Sequence, residues 1–298
     1  NNIESICMRN KVQVIVITQE KITAEQMKNI VDNSMSSHCK LLTLPNLDKI
    51  TDNGFEISNL LPVTIDDLLG REEVNIDWSN VAQQVQGKSV LISGGGGSIG
   101  SELARQLAKL DIKSLCILDH SEFNLYQIDR ELADKNDDLL VKSLLVNVTD
   151  KAHLFKVFSK VKPDIVFHAA AYKHVPLLEK MPCEGFINNV VGTKNMVDTC
   201  DQFSVEKMVL ISTDKAVNPY SIMGATKRIA ETYCQYKNKK SATEYIIVRF
   251  GNVLGSAGSV VPLFKQQIAN GGPVTVTHKE MTRYFMTIEE ACQLIVQS

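Results

Sequence analysis

Residues Ser89 to Asp119 read SVLISGGGGSIGSELARQLAKLDIKSLCILD: a short apolar run, a glycine cluster, an amphipathic segment and a second apolar run that ends in an acid. Val90, Leu91 and Ile92 suit a buried parallel strand, and Ile99, Leu103, Leu107 and Leu110 recur at helical spacing, so strand, turn and helix follow without a break. Gly94, Gly97 and Gly100 form GxxGxxG, while Gly95, Gly97 and Gly100 also satisfy GxGxxG. Glycine lets the backbone turn tightly and approach a pyrophosphate, which the N–H groups and dipole of a helix starting near Ser98 and Ile99 then attract. Asp119 closes the second strand nineteen residues after Gly100, where a carboxylate accepts hydrogen bonds from an adenosine ribose and repels a 2′-phosphate. Because no arginine directly follows Asp119, NAD is expected rather than NADP.

Outward from this stretch the pattern repeats. From Gly87 on, the apolar runs LLVKSLLVNV, DIVFHAAA, EKMVLIST and EYIIVRFGNV are separated by helical stretches, which predicts an α/β fold with a doubly wound parallel sheet. Ligands on such a sheet gather at the carboxyl ends of its strands. Those ends carry Asn147, Val148 and Asp150; His168 with Ala169, Ala170 and Ala171; Thr213, Asp214 and Lys215; and Arg249 with Asn252. The alanines leave room for the chain to pass close to a flat cofactor.

The remainder of the chain sets bounds. Its 298 residues are 44% hydrophobic and 22% charged with net charge −2, a globular composition that points away from nucleic acid or an anionic membrane as the main partner. Seven cysteines are odd in number and never spaced as CxxC, and the histidines show no metal-like spacing, so core packing in a reducing compartment is expected and no metal. Residues 11–18, Thr23 to Val31 and Lys40 to Leu44 read as strand, helix and strand without a glycine fingerprint. The predicted organisation is an α/β appendage at 1–62, a connector at 63–86 containing Arg71 and Trp78, a dinucleotide-binding domain at 87–249 and a partial substrate lobe at 250–298. Asp77 or Ser79 is the expected cap of the connector helix and Gly87 its stop. The chain opens Asn1-Asn2 without methionine and closes just after a helix begun by the capping box Thr287 to Glu290, so it reads as part of a longer protein.

Chemistry concentrates at Thr213, Asp214 and Lys215, with Lys227 on the following helix. A hydroxyl, an acid and two amines can divide proton transfers among themselves when burial and mutual charge shift their affinities.

Together the glycine motif, HAAA, STDKA, MGATK and RFGNVLGSAGSVVPLF resemble the extended short-chain dehydrogenases/reductases. Within them they resemble the membrane-anchored bacterial UDP-N-acetylglucosamine 4,6-dehydratases, from about Leu60 to the end. The resemblance implies a Rossmann domain and an NAD-dependent dehydration: hydride leaves C4 of the sugar, a base takes the C5 hydrogen, water leaves C6 and the hydride returns to C6. By correspondence Asp214 is the acid at the leaving hydroxyl, Lys215 the base at C5, Thr213 a hydrogen-bond partner of O4, and Lys227 the residue on the nicotinamide ribose. Where the superfamily has the tyrosine of YxxxK this chain has Met223, which cannot do acid–base work. The membrane-anchored branch shares that methionine, which implies a product that retains the C5 configuration. Asn147 stands where many relatives place an adenine-binding aspartate. Asn252, Ser259, Val260 and Phe264 match the stretch that holds UDP, Thr275 is expected at the uracil, Arg283 at the diphosphate, and Lys173 and His174 at the sugar. The resemblance also implies a homo-oligomer at the cytoplasmic face of the bacterial inner membrane. Two rivals remain: a nucleotide-sugar epimerase or 4-oxidoreductase, which needs tyrosine in place of Met223, and a catalytically silent NAD-binding module.

Overall fold

The chain divides into two units, Asn1–Val74 and Asn75–Ser298. The structure is a computed structural model that describes residues 3–19, 22–37, 39–44, 60–63, 78–134, 139–256 and 258–298. Arg71 and Asp77 lie outside the described residues.

In the first unit, α1 (Ile3–Asn10) precedes β1 (Val14–Ile17), α2 (Ala24–Ser34), β2 (Lys40–Thr43) and β3 (Leu61–Pro62). Strands β1 and β2 pair in parallel with Val14 opposite Lys40, and β3 adds antiparallel to β2. The crossover helix α2 starts in a capping box in which Thr23 accepts from the Gln26 N–H and the Gln26 side chain accepts from the Thr23 N–H. Helix α1 was not expected from the sequence; it buries Cys7 and little else, so its apolar signal is short.

The second unit opens with α3 (Trp78–Val85), which makes Ser79 its second residue rather than its cap, and the chain leaves it through Gly87 at φ +68°. Six strands then form one parallel sheet: β4 (Ser89–Ser93), β5 (Ser114–Asp119), β6 (Leu140–Leu145), β7 (Ile165–His168), β8 (Lys207–Thr213) and β9 (Glu244–Phe250), in the order β6-β5-β4-β7-β8-β9. Alternate residues of one strand enter opposite cores. Val90 and Ile92 join Leu103, Leu107, Ile128 and Ile295 on one face, whereas Leu91 joins Leu154, Phe158, Met196 and Cys234 on the other. Each such side chain contributes about 1.5–3 kcal/mol when fully buried, and two covered faces explain the unbroken apolar runs of the central strands. The cysteines are free, and burial pushes the Cys116 and Cys234 thiols up to about 12, as for inert core residues.

Helices α4 (Ser98–Leu107), α5 (Glu122–Ala133) and α6 (Lys151–Val161) link the first strands. After β7 come α7 (Val175–Lys180) and α8 (Pro182–Phe186), which passes through a π-helical turn (Ile187–Val191) into α9 (Gly192–Gln202); α10 (Ile222–Asn238) joins β8 to β9. Because β4 hands the chain to β5 on one side and pairs with β7 on the other, a crevice opens at the carboxyl ends between them.

The sixth apolar run does not continue through Asn252 as one strand. It breaks at Gly251, where a Cβ would stand 2.8 Å from the Tyr284 carbonyl oxygen, and β10 (Asn252–Val253) pairs instead with β11 (Phe285–Met286). Between them, α11 (Val260–Ala269) buries none of its residues. The last helix, α12 (Ile288–Gln297), begins in the Thr287–Glu290 capping box and lies against α4, with Cys292 Sγ 3.5 Å from the Ile99 carbonyl oxygen.

Candidate active site

The glycine turn follows β4 and closes on β7. Gly94 sits at φ +68°, and a Cβ there would stand 2.6 Å from the Ala170 nitrogen, so only glycine allows the turn to lie against Ala169 and Ala170. A Cβ on Gly100 would strike the Gly94 carbonyl oxygen, which keeps α4 tight against the turn. Gly97 is the N-cap of α4 and offers no side-chain oxygen, so the cap residue itself does not compete with an anion for the helix N–H groups. Asp119 is 5% exposed; its carboxylate accepts from the Gly96 N–H at 2.9 Å and the Ser121 N–H at 2.8 Å, tying the glycine turn to the end of β5. A carboxylate has lone pairs beyond these two bonds for a ribose hydroxyl.

Around the crevice, Asn147 Oδ1 accepts from the Thr149 N–H and hydroxyl, both at 2.9 Å, so its amide oxygen shapes the turn before α6. Val148 is buried and presses on Gly192, where a Cβ would come 2.7 Å from the Val148 Cγ2. Ala169, Ala170 and Ala171 are half-buried. A cleft of about 560 Å³ lined by Gly96, Ser101, Arg105 and Asn124 opens beside the turn, with neither Asp214 nor Lys215 in its wall.

Two strands from β4, at the same carboxyl edge, the end of β8 carries the ionisable cluster. The Thr213 hydroxyl donates to Asp214 Oδ1 at 2.9 Å, and Lys215 Nζ donates to that same oxygen at 2.9 Å and to Asn252 Oδ1 at 3.0 Å. Burial works to raise the Asp214 carboxyl, but the bonds from Lys215 and Thr213 outweigh it and hold it below the usual carboxylate range. A Cβ on Gly224 would strike the Lys215 carbonyl oxygen, so α10 starts hard against this turn. Met223 is 4% exposed on that helix. Lys227, 5% exposed, donates from Nζ to the Ile211 carbonyl oxygen at 2.7 Å, and burial brings its ammonium down to about 8.

Sequence reasoning placed His168 at a strand end but gave it no role, and it did not single out Asn189 or Glu231, the other buried polar groups behind these residues. His168 is 1% exposed, with Nδ1 at 2.6 Å from Ser93 Oγ and Nε2 at 3.0 Å from Thr193 Oγ1. The Thr193 hydroxyl already donates to the Asn189 carbonyl oxygen at 2.7 Å, so it accepts from His168 Nε2–H and leaves Nδ1 to accept from Ser93. Burial, with a smaller contribution from Lys227, brings His168 down to about 3 and keeps it neutral. Asn189 bonds the Tyr172 backbone at both N–H (2.8 Å) and carbonyl (2.9 Å), fixing the chain after the alanines. Glu231, one turn after Lys227, accepts from Ser212 Oγ at 2.6 Å and Arg249 Nε at 2.8 Å. The available signal was a polar residue inside an apolar run, His168 in IVFH or Asn189 after FIN, which reads equally well as a packing feature.

The expected substrate residues are less gathered. Asn252 reaches the cluster through Lys215. His174 lies against Gly258, whose φ of +69° favours glycine. Lys173 is an exposed residue whose partly desolvated ammonium is lowered from the ordinary lysine value. Ser259 occupies the N-cap position of α11 without a side-chain cap bond, its buried hydroxyl oxygen having no partner among the described residues. Val260 is exposed and Phe264 half-buried on α11, Thr275 is tied to Gln267 by two 3.1 Å bonds, and Arg283 is exposed with a guanidinium bond to the Thr282 carbonyl oxygen at 2.9 Å. Among the described residues, no cluster of three or more His, Cys, Asp or Glu is placed to hold a metal.

The chain as a whole is similar to known proteins. The profile of the polysaccharide biosynthesis protein family covers residues 90–298. The chain belongs to that family, within the extended short-chain dehydrogenase/reductase superfamily. Capsular polysaccharide biosynthesis protein CapD of Staphylococcus aureus is 42% identical over 100% of this chain and 50% of its own length, so the chain spans about half of that relative. An inverting UDP-N-acetylglucosamine 4,6-dehydratase of Campylobacter jejuni is 35% identical over 71% of this chain and 63% of its own. The solved structure of Pen from Bacillus thuringiensis is 35% identical with a TM-score of 0.66, covering 72% of this chain and 65% of that one.

Proposed function

We propose that the protein carries the NAD-dependent 4,6-dehydratase site for UDP-N-acetylglucosamine, forming UDP-2-acetamido-2,6-dideoxy-4-hexulose for bacterial glycan or polysaccharide biosynthesis. The observation that carries this reading is the pairing of an acid and an amine, Asp214 Oδ1 and Lys215 Nζ at 2.9 Å, at the carboxyl edge that also holds the glycine turn. The C. jejuni relative's name supports the same reaction class.

The cradle fits the cofactor: a turn closed by Gly94 and Gly100, an uncapped helix start and a buried Asp119 suit a pyrophosphate and an adenosine ribose. When bound, NAD+ supplies reversible hydride storage, one hydride out at C4 and the same hydride back at C6. The buried Lys227 ammonium is placed to bind the nicotinamide ribose and add positive charge, in exchange for its bond to Ile211.

Protons balance within the cluster. Asp214, steadied by Thr213, takes the O4 proton as C4 is oxidised, and the resulting ketone acidifies C5–H. Lys215, once its ammonium has released a proton to solvent, takes the C5 proton as the free amine; Asp214 gives its proton to the C6 hydroxyl, which leaves as water. Lys215 then returns its proton to C5 as hydride reaches C6, and both groups are as they began. Since Met223 is a buried thioether with no proton to give, Lys215 alone serves C5 from one face, which favours retention. The dehydratase relative is named inverting, so stereochemistry is a separate arm of the test.

The full-length protein is incubated with UDP-N-acetylglucosamine and the nucleotide product weighed. Loss of one water is expected; an unchanged mass with altered C4 configuration assigns an epimerase, and untouched substrate assigns a silent module. C5 configuration is read by NMR of the product. Placement at the cytoplasmic face of the inner membrane, through parts of the protein outside this chain, completes the proposal; among the described residues no helix is long and apolar enough to cross a membrane.

A further inference from the structure

The Lys215–Asn252 bond joins two parts of the second unit that the sequence read as separate: the catalytic strand end and the UDP-binding stretch. Lys215 Nζ donates to the Asn252 amide oxygen at 3.0 Å, so the NH2 group of that amide points elsewhere. Asn252 is itself fixed. Its N–H donates to the Tyr284 carbonyl oxygen at 2.9 Å, it pairs with Phe285 in the β10–β11 ladder, and the preceding Gly251 leaves no room for a Cβ against Tyr284.

The amine therefore meets two acceptors from different segments, Asp214 Oδ1 at 2.9 Å and Asn252 Oδ1 at 3.0 Å. A neutral amine has two N–H bonds and one lone pair. With both N–H bonds engaged, the lone pair is held along the one remaining tetrahedral direction. Asp214 alone would leave the amine free to rotate about that single bond. We propose that Asn252 is a positioning residue that, with Asp214, orients the lone pair of Lys215 for proton abstraction at C5. This rests on the dehydratase reading and goes beyond a substrate-binding role for Asn252.

Two substitutions separate the roles. Asn252→Leu removes the acceptor, and Asn252→Asp restores one of the same reach. At saturating UDP-N-acetylglucosamine in deuterium oxide, positioning predicts that Asn252→Leu lowers kcat and C5 exchange by about 100-fold, the effect of misplacing a reacting group by roughly 1 Å, with little change in KM. Asn252→Asp recovers most of that loss. If Asn252 instead served only the diphosphate, Asn252→Leu would raise KM at unchanged kcat, and Asn252→Asp, turning a negative charge on the diphosphate, would be the worse variant; that ranking overturns the proposal.

A second readout is independent of turnover. In the ligand-free full-length protein, acetylation of Lys215, followed by peptide mass spectrometry, should speed up several-fold in Asn252→Leu and fall back in Asn252→Asp, while Lys227 labelling stays constant as a check on folding. Equal Lys215 labelling in all three proteins overturns the proposal even if the wild type dehydrates its substrate. An inactive wild type with the expected labelling pattern overturns the dehydratase reading and leaves the amine latch standing.

Discussion

Replacing His168 with glutamine should remove a specific part of the protein's acid sensitivity. In the fold, burial holds His168 neutral down to about pH 3, whereas in the unfolded chain it titrates near the ordinary value of 6.5. As pH falls through 6.5 the unfolded state takes up a proton that the folded state refuses, so stability present above pH 6.5 is lost on acidification. The loss is about 1.4 kcal/mol per pH unit inside that window, or about 2 kcal/mol between pH 7.5 and pH 5.0. The substitution itself costs roughly 1–3 kcal/mol at pH 7.5, because Ser93 or Thr193 loses a buried partner. Trp78, the single tryptophan, lies in the same unit, and its fluorescence during urea unfolding at the two pH values gives both numbers. Wild type should lose about 2 kcal/mol more than His168→Gln on going to pH 5.0, the other titrating groups being common to both. Equal losses would refute a buried neutral imidazole, and with it the tautomer assigned to the Ser93–His168–Thr193 chain.

Further outcomes follow from the same geometry. Gly94→Ala should abolish NAD+ retention and destabilise strongly, since its Cβ would meet Ala170 at 2.6 Å; Gly255→Ala, at the same φ of +68° but with nothing within 4 Å, should cost only about 1 kcal/mol in a thermal melt. Lys215→Ala should leave NAD+ bound but block exchange of the C5 hydrogen with solvent deuterium; full exchange in that variant would remove Lys215 from the mechanism. Lys227→Met should lower kcat by about 100-fold or more and abolish the fall in NAD+ affinity expected of wild type as pH rises through about 8, where the buried ammonium loses its charge; an unchanged pH profile would show that this ammonium does not serve the cofactor.

The parallel sheet was legible because its central strands are buried on both faces: Val90, Leu91 and Ile92 each find a core, so periodicity and composition agree. The glycine turn was legible because the flanking strand, the helix and the spaced Asp119 agreed with it, and a Cβ on Gly94 or Gly100 would indeed strike backbone. Long-range pairing was less legible. Nothing local in RFGNV indicates that Gly251 ends one strand and starts another, because the cause is Tyr284, more than thirty residues on. The polar groups behind the site were hidden in the same way: His168, Asn189 and Glu231 acquire meaning only beside Ser93, Thr226 and Arg249, partners that the sheet order and the π-helical turn bring together. The substrate lobe gave the weakest signal, and α11, which buries none of its residues, has no packed core to bear a reading out.

The claim on which the rest depends is that one hydrogen leaves C4 of a nucleotide-linked sugar and re-enters the same molecule at C6 while the Asp214–Lys215 pair removes water. UDP-N-acetylglucosamine carrying deuterium at C4, converted by the full-length protein in ordinary water, tests it directly. NMR of the product should find that deuterium at C6. Deuterium still at C4, or lost to solvent, would contradict it.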